Sequence, residues 1–431
     1  MENAVLFSPV QLGAISLDHR VVLAPMTRIR ADETTLAPTD LMAEYYEQRS
    51  SQGGLLISEA VHISPEATPT WKIYPRVLEK GGHVPGIWTE TQLKAWEKVT
   101  SRVHAKGGKI FCQLLHAGRV AQPEIAAHPI ISKKDWPLPS VSASSVPISA
   151  SQEEGNHYNW DSEATPPRAL ETSEIPRLIS DYVHAANNAV SAGFDGVELH
   201  AAHGYLIEQF VNDGVNKRDD AYGGSVANRC RLLFEIVDAL INVVGAGRVA
   251  VRLSPTHLDL ITGVSKQVYF DVRDSEPQAV YTYAVAGLNK FPLAYLMLTE
   301  PRVGGLSEAA ETETAFRHPT VNMPYRDLYH GTLIGAGGFT PDTASQAVAS
   351  GTYDLIAFGR WFIANPDLPE RLKRGSALNV YERATFYGAG PEGYIDYPCI
   401  GNSTGRFRQM TQQQIGVTLK SARKGSPCDG H

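Results

Sequence analysis

His200, His203 and Tyr205 stand close together in the run Val-Glu-Leu-His-Ala-Ala-His-Gly-Tyr-Leu-Ile at 197–207, where an apolar stretch gives way to proton-handling groups. Two imidazoles can hold an oxygen atom by hydrogen bonds. A phenol, with an ordinary pKa near 10, stays protonated at neutral pH and can deliver a proton. The two histidines could also be metal ligands, but nothing nearby completes the set and a phenol is a poor zinc ligand. Oxygen binding with proton transfer is the better reading, and no metal is expected.

Such groups need rigid elements to aim them. Short apolar runs recur at 21–24, 54–58, 109–114, 196–200, 249–253, 294–299, 332–336 and 355–358, separated by helix-like stretches such as 89–105, 173–192, 225–244, 276–288 and 340–350. Continuously apolar strands alternating with amphipathic helices make a parallel sheet covered by helices. Eight such units predict an α/β fold, a (β/α)8 TIM barrel over 1–398. About 250 residues suffice for such a barrel, so a chain of 431 must carry additions. One is a long insertion after strand 3, at about 121–173, expected to form a lid over the mouth. A second irregular segment is 254–275, and 399–431 reads as a C-terminal extension, peripheral or mobile.

In a barrel the carboxyl ends of the strands face one shared space. Polar groups recur there: Thr27 after the first strand, Gln113 in the third and Arg252 in the fifth. A hydroxyl, an amide and a guanidinium offer what a uracil-like edge requires. Arg252 inside an apolar strand is informative because buried arginine is rare unless paired. After strands seven and eight, Gly335-Ala336-Gly337-Gly338-Phe339 and Phe358-Gly359-Arg360-Trp361 suit a phosphate cradle of backbone N–H groups, with Arg360 adding a charge-assisted bond.

Other functions lose support. A net charge of -7 disfavours nucleic acid and anionic membranes as partners. No run approaches the roughly 20 apolar residues of a membrane helix, and no secretory signal is expected. Cys112, Cys230, Cys399 and Cys428 are scattered, without a C-x-x-C pair, which points to a reduced, cytoplasmic setting without a zinc or iron–sulfur site. Gly388-Ala389-Gly390-Pro391-Glu392-Gly393 spells a dinucleotide fingerprint, but it does not open an apolar helix and reads as a loop.

Taken in order, the stretches APMTR (24–28), QLLHAGR (113–119), HAAHGYLIEQF (200–210), NKRDDAYGGSVANR (216–229), FGRWFIANPDL (358–368) and ATFYGAGPEGYIDYP (384–398) resemble the Old Yellow Enzyme family, its fungal members in particular. The resemblance covers about 6–398. It implies tightly but non-covalently bound FMN, NADPH as reductant, and reduction of the C=C bond of α,β-unsaturated carbonyl compounds: hydride goes to the β carbon and Tyr205 protonates the α carbon. It places Pro25, Thr27 and Ala60 around the flavin ring, Gln113 and Arg252 at its pyrimidine edge, and Gly338, Gly359 and Arg360 on the phosphate. His200 and His203 would hold the substrate oxygen, with Tyr387 and Leu115 lining the pocket. Leu115 stands where many relatives have Trp and Ala60 where many have Gly, which implies a reshaped pocket and bulkier or differently oriented enones. A small-molecule enone or enal as partner and a monomer or homodimer follow. The alternative on the same scaffold is a redox-neutral isomerase or cyclase of fungal secondary metabolism.

Overall fold

Along each apolar run the side chains alternate between two cores, and that alternation builds the architecture. The computed structural model describes residues 4–68, 83–121, 140–149, 165–255, 269–300, 323–402, 407–412 and 414–415. Among them the strands are β1 (Val10–Leu12), β2 (Ile15–Leu17), β3 (Val21–Leu23), β4 (Leu55–His62), β5 (Lys109–Leu115), β6 (Val141–Ser142), β7 (Arg168–Ala169), β8 (Gly196–His200), β9 (Val249–Leu253), β10 (Tyr295–Thr299), β11 (Leu333–Ala336), β12 (Leu355–Phe358), β13 (Leu378–Asn379) and β14 (Gln409–Met410). Eight of them close into a barrel in the order β3-β4-β5-β8-β9-β10-β11-β12, with every neighbouring pair parallel. These are the eight runs expected from the sequence.

Successive strand residues face opposite sides. Val22, Ile57, Phe111, Ala250, Met297, Ile334 and Leu355 fill the lumen. Their neighbours Leu23, Leu56, Cys112, Val251, Leu298, Leu333 and Ile356 meet the surrounding helices. The helix Arg231–Val244 shows the outer contact: Leu232, Leu233, Ile236, Val237, Leu240 and Val244 are its buried stripe. Each such side chain contributes about 1.5–3 kcal/mol when fully buried. The stretch 225–244, expected as one helix, is split at Cys230, where the preceding Arg229 turns inward to pair with Asp274 at 3.0 Å.

The β1–β2 hairpin plugs the amino-terminal end of the barrel, adding Leu12 and Leu17 to the lumen core. Gly13 permits this at φ +52°, because a Cβ there would meet the Gly247 carbonyl oxygen at 2.2 Å. At the other end β4 carries a bulge: Ile57 pairs with Phe111, yet Ala60 pairs with Gln113. One extra residue reverses the alternation. Without it Glu59 would face the lumen; with it Ala60 does.

Of the insertion, 140–149 and 165–173 are described and form the small parallel pair β6–β7. The expected lid over 121–173 otherwise lies outside the described residues, as does most of 254–275. Of the extension 399–431, expected to be peripheral or mobile, residues 399–402, 407–412 and 414–415 are described. β14 pairs antiparallel with β13, and Phe407 and Ile415 are buried. Among the described residues of 407–415 the apolar ones, Phe407, Met410 and Ile415, are spent on this contact.

Candidate active site

One cavity of about 530 Å³ opens at the carboxyl ends of the barrel strands, within the roughly 300–1,000 Å³ usual for ligand sites. Each strand or its end contributes one lumen-facing residue. From β5, β8, β9 and β10 come Gln113, His200, Arg252 and Thr299; from β11, β12, β3 and β4 come Ala336, Ala357, Ala24 and Ala60. These strands are contiguous around the ring in each set, so the mouth has a polar half and an alanine half. Arg28, Arg252, Arg360 and Arg383 line the cavity and no carboxylate does among the described residues. An acidic chain thus keeps an anion-accepting interior.

The polar half is tied together below the mouth. Gln113 Nε2 donates to Glu198 Oε1 at 2.6 Å, and Arg252 Nε donates to Thr299 Oγ1 at 3.3 Å. Burial raises the Glu198 carboxyl, with Arg252 and Gln113 opposing it. Burial also lowers the Arg252 guanidinium, against the pull of Glu198. No other hydrogen bond fixes Arg252 among the described residues, so its terminal nitrogens are free to meet a ligand.

Three rings converge above this layer. The His200 ring lies 5.2 Å from that of His203 and 5.1 Å from that of Tyr205, edge-on to both. Burial, then Arg252, holds both imidazoles well below the usual histidine value, so they are neutral at pH 7. His200 Nδ1 accepts from the Ala202 N–H at 3.3 Å, which puts the proton on Nε2. His203 Nε2 meets Thr299 Oγ1 at 3.1 Å.

The 203–204 turn that carries these rings is strained and pinned. His203 sits at φ +56° and Gly204 at φ +78°, and a non-glycine residue there is uncommon enough to invite a functional reading. Buried Glu208 holds the turn: one oxygen accepts from the Gly204 N–H, the other from Ser254 Oγ at 2.8 Å. Ser254 in turn accepts from the His203 N–H at 2.9 Å. Tyr205 follows as the cap of the helix Leu206–Val211.

Across the barrel, Gly337 and Gly338 follow β11 at φ +100° and +68°, and a Cβ on Gly337 would meet the Glu300 carbonyl oxygen at 2.6 Å. Gly338, Gly359 and Arg360 all line the cavity. Pro25, Thr27 and Ala60 do so as well. Tyr387 is another wall residue; burial, then Tyr205, pushes its phenol up to about 12, with Arg28 opposing. Leu115 is buried but is not among the residues that line the cavity; it lies beyond Gln113 at the end of β5, beside His62.

The 388–393 glycines form a loop, as expected. Its carbonyls receive two arginines: Arg28 Nη2 reaches Gly393 O at 2.7 Å and Arg30 Nε reaches Gly390 O at 3.2 Å. Both also bond the Phe386 carbonyl, at 2.9 and 2.8 Å, which fixes the backbone beside Tyr387. Sequence reasoning missed Met26, Tyr269, Thr299, Tyr381, Arg383, Met410 and Ile415 as wall residues. Thr299 could have been found, since it ends its strand as Gln113 and Arg252 sit near the ends of theirs. Tyr269 and the tail residues carry no such signal.

Residues 5–379 match the model of the NADH:flavin oxidoreductase / NADH oxidase family. The chain belongs to that family. It is an oxidoreductase and a flavoprotein of Old Yellow Enzyme type, with the fold those proteins share. Among curated proteins it is 42% identical to putative 12-oxophytodienoate reductase 11 of Oryza sativa subsp. japonica, over 92% of this chain and 98% of that one. It is 41% identical to flavin oxidoreductase hxnT of Emericella nidulans, over 91% and 97%. Among solved structures, the old yellow enzyme homologue from Zymomonas mobilis matches with a TM-score of 0.75 and 37% identity, covering 91% of this chain and 99% of that one. Morphinone reductase in complex with tetrahydroNAD matches at 0.74 and 38%, covering 94% and 99%. These relatives come from plant, fungus and bacterium, so the likeness is not confined to fungal members. No helix among the described residues is long and apolar enough to cross a membrane.

Proposed function

We propose that this enzyme is an FMN-dependent ene-reductase that uses NADPH to saturate the C=C bond of α,β-unsaturated ketones and aldehydes. The observation that carries the reading is the convergence of His200, His203 and Tyr205 over one half of the mouth.

The residues present fit FMN. Thr27, Gln113 and the free end of Arg252 suit a pyrimidine edge, four alanines leave space for a flat ring system, and Gly337, Gly338, Gly359 and Arg360 suit a phosphate. FMN held there would supply the redox chemistry, hydride exchange between a nicotinamide nucleotide and the β carbon of the acceptor. Every other part is the protein's. The His200 Nε2–H and a nitrogen of His203 hold the carbonyl oxygen, where negative charge develops as the β carbon gains its hydride. Because both imidazoles are neutral, they stabilise that charge by donation without surrendering a proton. Tyr205 Oη then gives its proton to the α carbon and recovers one from solvent. Arg252, buried beneath, favours negative charge in the layer above it.

Anaerobic reduction with NADPH or NADH, followed by reoxidation with a panel of enones, tests this reading. Flavin that reoxidises on mixing with an enone, and reduction faster with NADPH than with NADH, is the expected result. Reduced protein indifferent to every enone contradicts it.

A further inference from the structure

The described tail residues 407–412 and 414–415 lie against the cavity. Met410 and Ile415 line the cavity together with Val380 and Tyr381, and Ile415 is only 3% exposed. The contact is held at several points. Leu378 pairs with Met410 and Asn379 with Gln409, and the Val380 N–H donates to Arg408 O at 2.8 Å. Gln409 Nε2 donates to Asn379 Oδ1 at 2.9 Å. Gln412 Nε2 reaches the carbonyls of Arg371 and Ser376, each at 3.2 Å. The Phe407 ring lies 4.4 Å from that of Tyr397.

The place of this contact is specific. Tyr381 carries Arg360 over its ring at 5.4 Å, and Arg360 begins just beyond β12, the strand diametrically opposite β8 in the barrel order. The described tail residues therefore wall the alanine half, on the side of β12, across the barrel order from β8. We propose that residues 407–412 and 414–415 act as a strap that completes the FMN site and sets how long the cofactor stays bound. This inference rests on the FMN reading above. The strap places two apolar side chains against whatever fills the alanine half, and burying apolar surface there stabilises the loaded state. It is attached through a two-residue strand pair and a few side chains, so it can peel away locally without opening the barrel. Cofactor release then waits on that peeling.

The test uses full-length holoprotein. Met410→Ser with Ile415→Ser removes the apolar wall without adding charge, and Gln412→Ala removes an anchor that does not face the cavity. After dilution, release is followed as recovery of free-flavin fluorescence. The double variant is expected to release FMN on the order of tenfold faster, and Gln412→Ala by a smaller but measurable factor. Release within about twofold of the unmodified protein in both variants overturns the strap. Thermal melting in excess FMN checks that each variant is folded; should the double variant fail that check, Gln412→Ala decides alone. Unmodified protein that holds no flavin removes the FMN reading and the strap with it, whereas equal retention in all three proteins removes only the strap.

Discussion

The two halves of the barrel mouth do opposite things with the same backbone geometry. β5, β8, β9 and β10 each present a polar side chain at the level where β11, β12, β3 and β4 each present alanine. The polar half acts by what its side chains donate. The alanine half acts by what its side chains leave out, since a methyl group at four neighbouring strand ends opens a broad, flat, apolar space. A site for a planar ring with one hydrogen-bonding edge needs both, and a ring flat across the mouth meets both at once.

Variants on each side should separate these roles. Tyr205→Phe should slow reoxidation by an enone about 10²–10⁴-fold, the usual worth of a positioned proton donor. Reduction by NADPH should be unchanged, and stopped-flow absorbance reads both half-reactions. His200→Ala or His203→Ala should cost up to about 10²–10³-fold in the same half-reaction, as loss of a donor to a developing oxyanion does, and should weaken binding of a phenolate ligand in a spectral titration. Ala357→Leu, on the other side, should act through volume instead. Because the added atoms enter the cavity and not the core, FMN content should fall about tenfold or more while melting of the flavin-free protein moves little, against the 1–3 kcal/mol typical of overpacked cores. If Ala357→Leu left FMN content intact while impairing protonation, the division into halves would fail.

The smallest expected effect is an absence. Both site imidazoles are held well below the usual value by burial and by Arg252, so enone reoxidation should show no histidine inflection between about pH 6 and 8. Stability should respond where turnover does not. Unfolded imidazoles gain protons below about pH 6.5, while the folded ones do not. Their contribution is intact above that pH and erodes as pH falls toward the depressed folded values. Burial holds His19 near 4 and His62 near 3, so they add to the same loss. The thermal midpoint should fall between pH 7 and 5, and His200→Ala with His203→Ala should flatten part of that fall.

The barrel was legible because its strands are apolar on both faces and its helices on one, so each of the eight runs announced itself. The polar half was legible for a related reason: Gln113, His200 and Arg252 are polar residues at the ends of apolar runs, where a purely structural role would leave them buried without cause. The alanine half was nearly invisible. Ala24 and Ala357 are inconspicuous in apolar runs, Ala336 drew notice only through the glycines beside it, and Ala60, which the family resemblance places at the flavin, faces the lumen through a bulge between Ile57 and Ala60 that no residue type dictates. The contact of the described tail residues was not legible because a handful of apolar residues among glutamines and serines gives no period, though Met410 and Ile415 reach the cavity. Leu115 carries the parity of Gln113 but stands one step farther along its strand, beside His62 instead of on the wall.

The most direct test of a flavin ring shared between the two halves is the visible spectrum of the purified protein, titrated with a phenol. The account predicts yellow protein with the absorption of oxidised flavin, and a new long-wavelength band on adding the phenol that His200→Ala with His203→Ala weakens or abolishes. A well-folded, colourless preparation that takes up no added FMN would contradict it.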